Sequence, residues 1–192
     1  MKANELRRSV HAVLSSPWIF AGAAILFALF IALVLPRQSA LAARTTPGGA
    51  SFDTSLFYTP AEAFDKAASY SVEGRFAYIA ARWSFDLAWP IVYGLFALSG
   101  WAFALQRLGD GAAARRQLAF LVLLAPGFDY LENVAATVIM ASVPAQPLGW
   151  GVAASFATPL KWAFVIIGIA GAVVLPIAAG IRAIVRRARQ GN

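Results

Sequence analysis

Cysteine is absent from all 192 residues. Disulfides, thiolate metal sites and cysteine nucleophiles are therefore excluded. His11 is the single histidine, and zinc sites of the usual kinds need several histidine or cysteine ligands, so no metal and no cofactor is expected. Charge is scarce as well. Asp, Glu, Lys and Arg together make up 13% of the chain against 60% hydrophobic residues, where a soluble domain carries about 25% charge. With a mean hydropathy of +0.67, the surface of such a chain is suited to lipid rather than water. Acids are the rarest charged class, nine against sixteen Lys and Arg, for a net charge of +7. That excess gathers beside apolar runs, as topology demands of a membrane protein. Nucleic acid is not expected as a partner, and membrane lipids are.

What is present is a set of long apolar runs. The length accommodates several helices of about 20 residues but no further large soluble domain. Residues 1–192 are therefore read as a single membrane domain, all-α, with four spans at about 18–35, 85–105, 118–142 and 159–181. The first span opens on Ser16-Pro17, an N-cap followed by proline at the first helical position, and ends at Pro36-Arg37. Before it, Leu6, Val10, Val13 and Leu14 share a face opposite Lys2, Arg7 and Arg8, the pattern of an amphipathic interfacial helix. Ala40-Leu41-Ala42 has the small-x-small form of a signal-peptide cleavage site, but the apolar run is longer than the usual ~7–15 residues. The connection 36–82 is the one long loop. Within it Thr59-Pro60-Ala61-Glu62 spells a capping box, which predicts an interfacial helix from Pro60 to about Tyr70. A second helix is expected to begin near Arg75 and continue unbroken into span two, kinked at Pro90. Span three is expected to break at Pro126-Gly127. The connection 143–156 is expected to be a loop, and Thr158-Pro159 repeats the cap that starts a helix.

Orientation follows from the basic residues. The N-terminal segment, the second connection and the C-terminal tail hold ten Lys or Arg against Glu5 and Asp110; the opposite side holds five against Asp53, Glu62, Asp65 and Glu73. Short basic loops stay inside. Both termini are therefore expected in the cytoplasm of an inner-membrane protein, with the loop and its interfacial helix outside.

Ionisable groups within a span cost about 2.5–3.5 kcal/mol each on insertion scales, so each asks for a reason. Asp86 lies in span two, and Asp129 and Glu132, with Asn133 beside them, lie in span three. Tyr78, Arg82, Asp86, Pro90 and Tyr93 recur at steps of three and four, as do Asp129, Glu132 and Asn133. Each set falls on one helical face. A rise of about 1.5 Å per residue puts Tyr93 near the depth of Asp129 and Pro90 near that of Glu132, and Lys161 offers a counter-charge. Asp129, one turn after a break at Pro126-Gly127, would sit at a helix N-terminus. The expectation is a polar intramembrane pocket open to the outer leaflet. It is built from Tyr78, Arg82, Asp86, Tyr93, Asp129, Glu132, Asn133 and Lys161, with Asp129, Glu132 and Asp86 as candidate catalytic acids. The same residues could instead hold the helices in register by hydrogen bonds and ion pairs. Asp110-Gly111-Ala112-Ala113-Ala114-Arg115 opens like the signature of the CDP-alcohol phosphotransferases, but its second half, with two further aspartates, is missing.

The combination Arg75-x-x-Tyr78, Arg82, Asp86-x-x-x-Pro90-x-x-Tyr93 and Asp129-x-x-Glu132-Asn133 resembles a group of small bacterial four-span membrane proteins without an assigned activity, over about residues 60 to 140. More remotely the chain is similar to VanZ-type four-helix proteins. That resemblance implies action on lipid or lipid-linked head groups, although Trp89-Pro90 stands where those chains place a histidine. Three functions are compatible with these residues. One is binding of a lipid, small amphiphile or protein partner. A second is an enzyme acting on a lipid head group, with Asp129 or Glu132 as general base, Arg82 holding phosphate and Tyr93 orienting substrate. The third is a small proton-coupled transporter, which with four spans and no repeat would require a dimer, so a homo-oligomer is a possible partner state.

Overall fold

The computed structural model describes residues 12–46, 51–52, 55–109 and 112–190, with the backbone alone described over 112–120. The amphipathic stretch through Leu6 and Val10 and the Asp110-Gly111 pair lie outside these residues. Among the described residues every regular element is helical: α1 (Pro17–Leu29), a π-helical turn (Phe30–Val34), α2 (Leu35–Ala42), α3 (Pro60–Ser69), α4 (Val72–Arg82), α5 (Phe85–Leu108), α6 (Ala112–Ser142) and α7 (Leu148–Gln190). Four stretches are long and apolar enough to cross a bilayer, Pro17–Ala42, Val72–Leu108, Leu121–Ser142 and Leu148–Gln190. The chain is an all-α, multi-pass membrane protein.

The capping box is present as read. Thr59 accepts from the Glu62 backbone N–H while Glu62 accepts from the Thr59 backbone N–H at 2.7 Å, and Pro60 opens α3. These contacts hold the Glu62 carboxyl below its ordinary value, the backbone N–H of Thr59 first and its hydroxyl second. A lowered value means that the contribution is complete above the ordinary glutamate range and is lost as pH falls through Glu62's own value. Thr59→Ala is expected to cost about 1 kcal/mol, visible as faster amide exchange confined to the first turn of α3.

Four expectations about helix ends are corrected, and proline is involved in three. Span one does not stop at Pro36. The Leu35 N–H reaches back to the Phe30 carbonyl, five residues, and this wider turn lets the helix continue through Pro36 to Ala42. Span three does not break at Pro126-Gly127, since α6 runs through both. Span four begins at Leu148, so most of the expected loop 143–156 is helix and Thr158-Pro159 lies inside α7. In lipid an interrupted helix exposes backbone that no water satisfies, so a prolyl residue is carried within a helix that water would end. The fourth correction lies between the interfacial segment and span two. The helix there starts at Val72, capped by the Ser71 hydroxyl, which accepts from Gly74 N–H at 3.0 Å. It then pauses at a turn over Trp83-Ser84 before α5.

The chain divides into two compact units. The first comprises Met1–Ala28, Val92–Leu123 and Phe164–Asn192. Its core is a ring stack, Phe27 on Phe96 at 4.6 Å and Phe20 on Phe96 at 5.9 Å, beside buried Ala23 and Ala172. Small residues set the helix spacing, as is usual where lipid supplies no hydrophobic drive for helices to associate. A Cβ on Gly100 would stand 2.8 Å from that of Ala172, and one on Gly171 2.3 Å from the Trp101 ring. The Trp101 indole N–H donates to the Gly168 carbonyl at 2.9 Å. The second unit comprises Leu29–Ile91 and Leu124–Ala163. Its core joins Phe52, Tyr58, Phe64, Tyr70 and Tyr78 to Ile139 and Met140 of α6. Gly151 of α7 packs directly under Phe64, with space for no side chain.

Candidate functional site

The polar cluster belongs to the second unit. Its first half gathers at the joint between α4 and α5. Arg82 is the last residue of α4 and Asp86 lies in the first turn of α5, so the anion placed at the positive end of a helix is Asp86 and not Asp129. The Arg82 guanidinium pairs with Asp86 at 2.8 Å across the intervening turn, and its carbon lies 4.6 Å from the centre of the Tyr78 ring. A second guanidinium nitrogen donates to the Asn133 side-chain oxygen at 3.4 Å.

Asn133 also repairs the backbone. Pro90 has no N–H to offer the Asp86 carbonyl four residues earlier. The Asn133 amide donates to that carbonyl at 3.3 Å, and one residue along the Tyr130 hydroxyl donates to the Leu87 carbonyl at 2.8 Å. Asn133 thus supplies the hydrogen bond that Pro90 cannot make, and Tyr130 adds a second tie between α6 and α5.

The other half lies between α6 and α7. Asp129 and Glu132 are three residues apart on α6, as are Thr158 and Lys161 on α7, so each pair occupies one face. The Lys161 ammonium donates to Glu132 Oε2, and its nitrogen stands 4.0 Å from Asp129 Oδ1. On the opposite side Glu132 Oε1 accepts from the Thr158 hydroxyl, and the Tyr58 hydroxyl lies 3.5 Å from the same oxygen. Thr158 Oγ1 is also 3.0 Å from the Ala154 carbonyl and 2.8 Å from Tyr58 Oη. A single hydroxyl proton serves one acceptor at a time, so Thr158 and Tyr58 form a short relay at Glu132.

Arg82, Asp86, Asp129, Glu132 and Lys161 are each less than a tenth exposed, with Glu132 at 1%. They bring three carboxylates and two cations into one buried volume. A roof of aromatic residues covers it. Phe52 and Tyr58 come from the segment before α3, both fully buried, with Phe52 edge-on to Tyr58 at 5.3 Å and 5.8 Å from Tyr78. The ionisable side chains of the expected pocket are buried beneath these rings. A groove of about 190 Å³ elsewhere in the unit, lined by Phe64, Ala67, Ile139, Val143 and Gln146 among others, is largely apolar.

The chain matches no known protein family, curated protein or solved structure.

Of the residues singled out from the sequence, Tyr78, Arg82, Asp86, Asp129, Glu132, Asn133 and Lys161 come together as described. Tyr93, buried in α5, lies beyond the boundary of this unit and is counted in the other. Three contributors escaped the reading. Thr158-Pro159 reads in the sequence as a helix cap, whereas the Thr158 hydroxyl serves Glu132. Phe52 and Tyr58 lie in a turn-rich loop without periodicity. The only signal for them was aromatic residues in a segment that otherwise reads as polar.

Proposed function

We propose that the protein is a bacterial inner-membrane binding protein with both termini in the cytoplasm. The buried cluster around Glu132 would receive the polar head of a lipid or small amphiphile, or a segment of a protein partner. The observation that carries this reading is the collection of five ionisable side chains inside helices that cross a membrane, each less than a tenth exposed. Intramembrane charges of this kind are costly and mark functional sites by default. Tyr58 supports it further, since its hydroxyl lies 3.5 Å from Glu132 and its ring packs against Phe52, apolar surface directly beside buried charge. Binding is favoured over general-base catalysis by geometry. Both oxygens of Glu132 are already engaged by Lys161, Thr158 and Tyr58, so a substrate proton would have to compete with these partners for the carboxylate.

The test is the lipid and small-molecule content of the purified protein. Protein extracted in a mild neutral detergent is expected to carry one species enriched over the bulk membrane extract, and Asp129→Asn to lose that enrichment while melting within a few degrees of the parent. An identical extract from parent and variant, or equal loss of folded protein in Asp129→Asn and Glu132→Gln, would favour the cluster as helix-register chemistry alone. A deletion strain that accumulates or lacks one head-group species would instead support the enzyme.

A further inference from the structure

The first unit contains a second charged feature of opposite character. Among its described residues there is no Asp or Glu, yet it holds Arg107, Arg115, Arg116, Arg182, Arg186, Arg187 and Arg189. In the second unit Arg82 has Asp86 as its counter-charge, whereas among the described residues of the first unit no carboxylate accompanies the four arginines of α7.

The arrangement on α7 specifies the kind of anion that would suit them. Arg182, Arg186 and Arg189 are spaced i, i+4 and i+7, which places them along one stripe of the helix, about 10 Å from end to end at ~1.5 Å per residue. Ala178, Ile181 and Val185 run alongside, and the six side chains line an open groove of about 540 Å³. Arginine follows one edge and aliphatic carbon the other. Arg182 is positioned by a bond to the Leu108 carbonyl at 2.8 Å, at the end of α5 where Gly109 turns the chain with φ +83. Ile181 and Val185 are themselves more than two-fifths exposed, so the apolar edge faces the surroundings as the basic edge does. Arg187 projects on the other side of the helix.

We infer that this face of α7 binds an anionic phospholipid, with Arg186, Arg189 and the free side of Arg182 on the phosphate and one acyl chain along Ala178, Ile181 and Val185. Guanidinium matches phosphate oxygens with two parallel N–H groups, and a basic stretch next to a span is attracted to anionic lipid by about 1 kcal/mol per residue, roughly fivefold in affinity.

The full-length protein in neutral detergent is titrated with dioleoylphosphatidylglycerol and, separately, with the corresponding phosphatidylcholine, and bound lipid is counted by native mass spectrometry. Phosphatidylglycerol is expected to be retained preferentially. Arg186→Gln and Arg189→Gln should each weaken retention about fivefold and together about 25-fold, with lipid-free melting unchanged. Arg187→Gln should weaken retention clearly less than Arg186→Gln, and losses confined to Arg186 and Arg189, which belong to the first unit, separate this site from the Glu132 cluster of the second. Equal retention of the two lipids would overturn the proposal. So would a loss in Arg187→Gln as large as in Arg186→Gln, which would reduce the effect to net charge, or full displacement of the lipid by excess inorganic phosphate, which would make it a site for the free ion.

Discussion

Replacing Lys161 with methionine is expected to be the most damaging single change in the second unit. The ammonium is the partner of Glu132 and stands 4.0 Å from Asp129, and none of the three is more than 6% exposed. Removing one member of a buried pair leaves the other charge without compensation, at a cost of about 3–5 kcal/mol, whereas removing both members costs much less. Lys161→Met is therefore expected to unfold at much lower temperature in detergent than the parent, and Lys161→Met with Glu132→Gln to recover more than half of the difference. Thermal melts of the three proteins by circular dichroism decide the matter. A single variant that melts like the parent would mean that the pair holds nothing together, and a double variant no better than the single would place the loss outside the pair.

The second large effect is expected where charge plays no part. Gly171→Ala adds one methyl group at 2.3 Å from the Trp101 ring, closer than any real contact, so the indole must move and surrender its bond to the Gly168 carbonyl. Overpacking costs about 1–3 kcal/mol and the lost hydrogen bond about 1 kcal/mol. Trp101→Phe removes the ring atoms in the way, so the two substitutions combined are expected to cost less than the sum of their separate costs, the signature of direct contact. Gly127 is the control. A Cβ there meets nothing within 4 Å, and Gly127→Ala inside α6 is expected to be neutral or mildly stabilising. If Gly171→Ala proved as harmless as Gly127→Ala, the close approach of α5 and α7 in the first unit would be disproved.

Much of this architecture was legible in the residues, and the parts that were not share a physical cause. Apolar runs of sufficient length identify spans because lipid admits little else. The helical steps linking Tyr78, Arg82 and Asp86, and Asp129, Glu132 and Asn133, located the cluster because side-chain direction follows backbone period. The failures lie where one local signal has two meanings. Thr59-Pro60 and Thr158-Pro159 are the same dipeptide. In the first the threonine caps α3, and in the second it lies mid-helix with its oxygen 3.0 Å from the Ala154 carbonyl. The difference is the solvent, which for Thr59 includes water able to take over freed backbone groups and for Thr158 does not. Pro126 misled in the same way. Asn133 could be assigned to the cluster from spacing, but its repair of the carbonyl orphaned by Pro90 depends on how α5 and α6 pack, which no single-chain periodicity contains. The roof formed by Phe52 and Tyr58 is long-range for the same reason, since Tyr58 meets a residue 74 positions away.

The joint at Trp83-Ser84 carries one more consequence. Because Arg82 ends one helix and Asp86 begins the next, a single ion pair both populates the cluster and ties the chain across its bend. Neither residue is then free to vary alone. In a set of homologous chains the two positions are expected to change together or not at all, and insertions or deletions are expected to avoid the two residues of the turn, since a shift by one would carry the guanidinium away from its carboxylate. The ancestry of the site and the ancestry of the bend would be a single history.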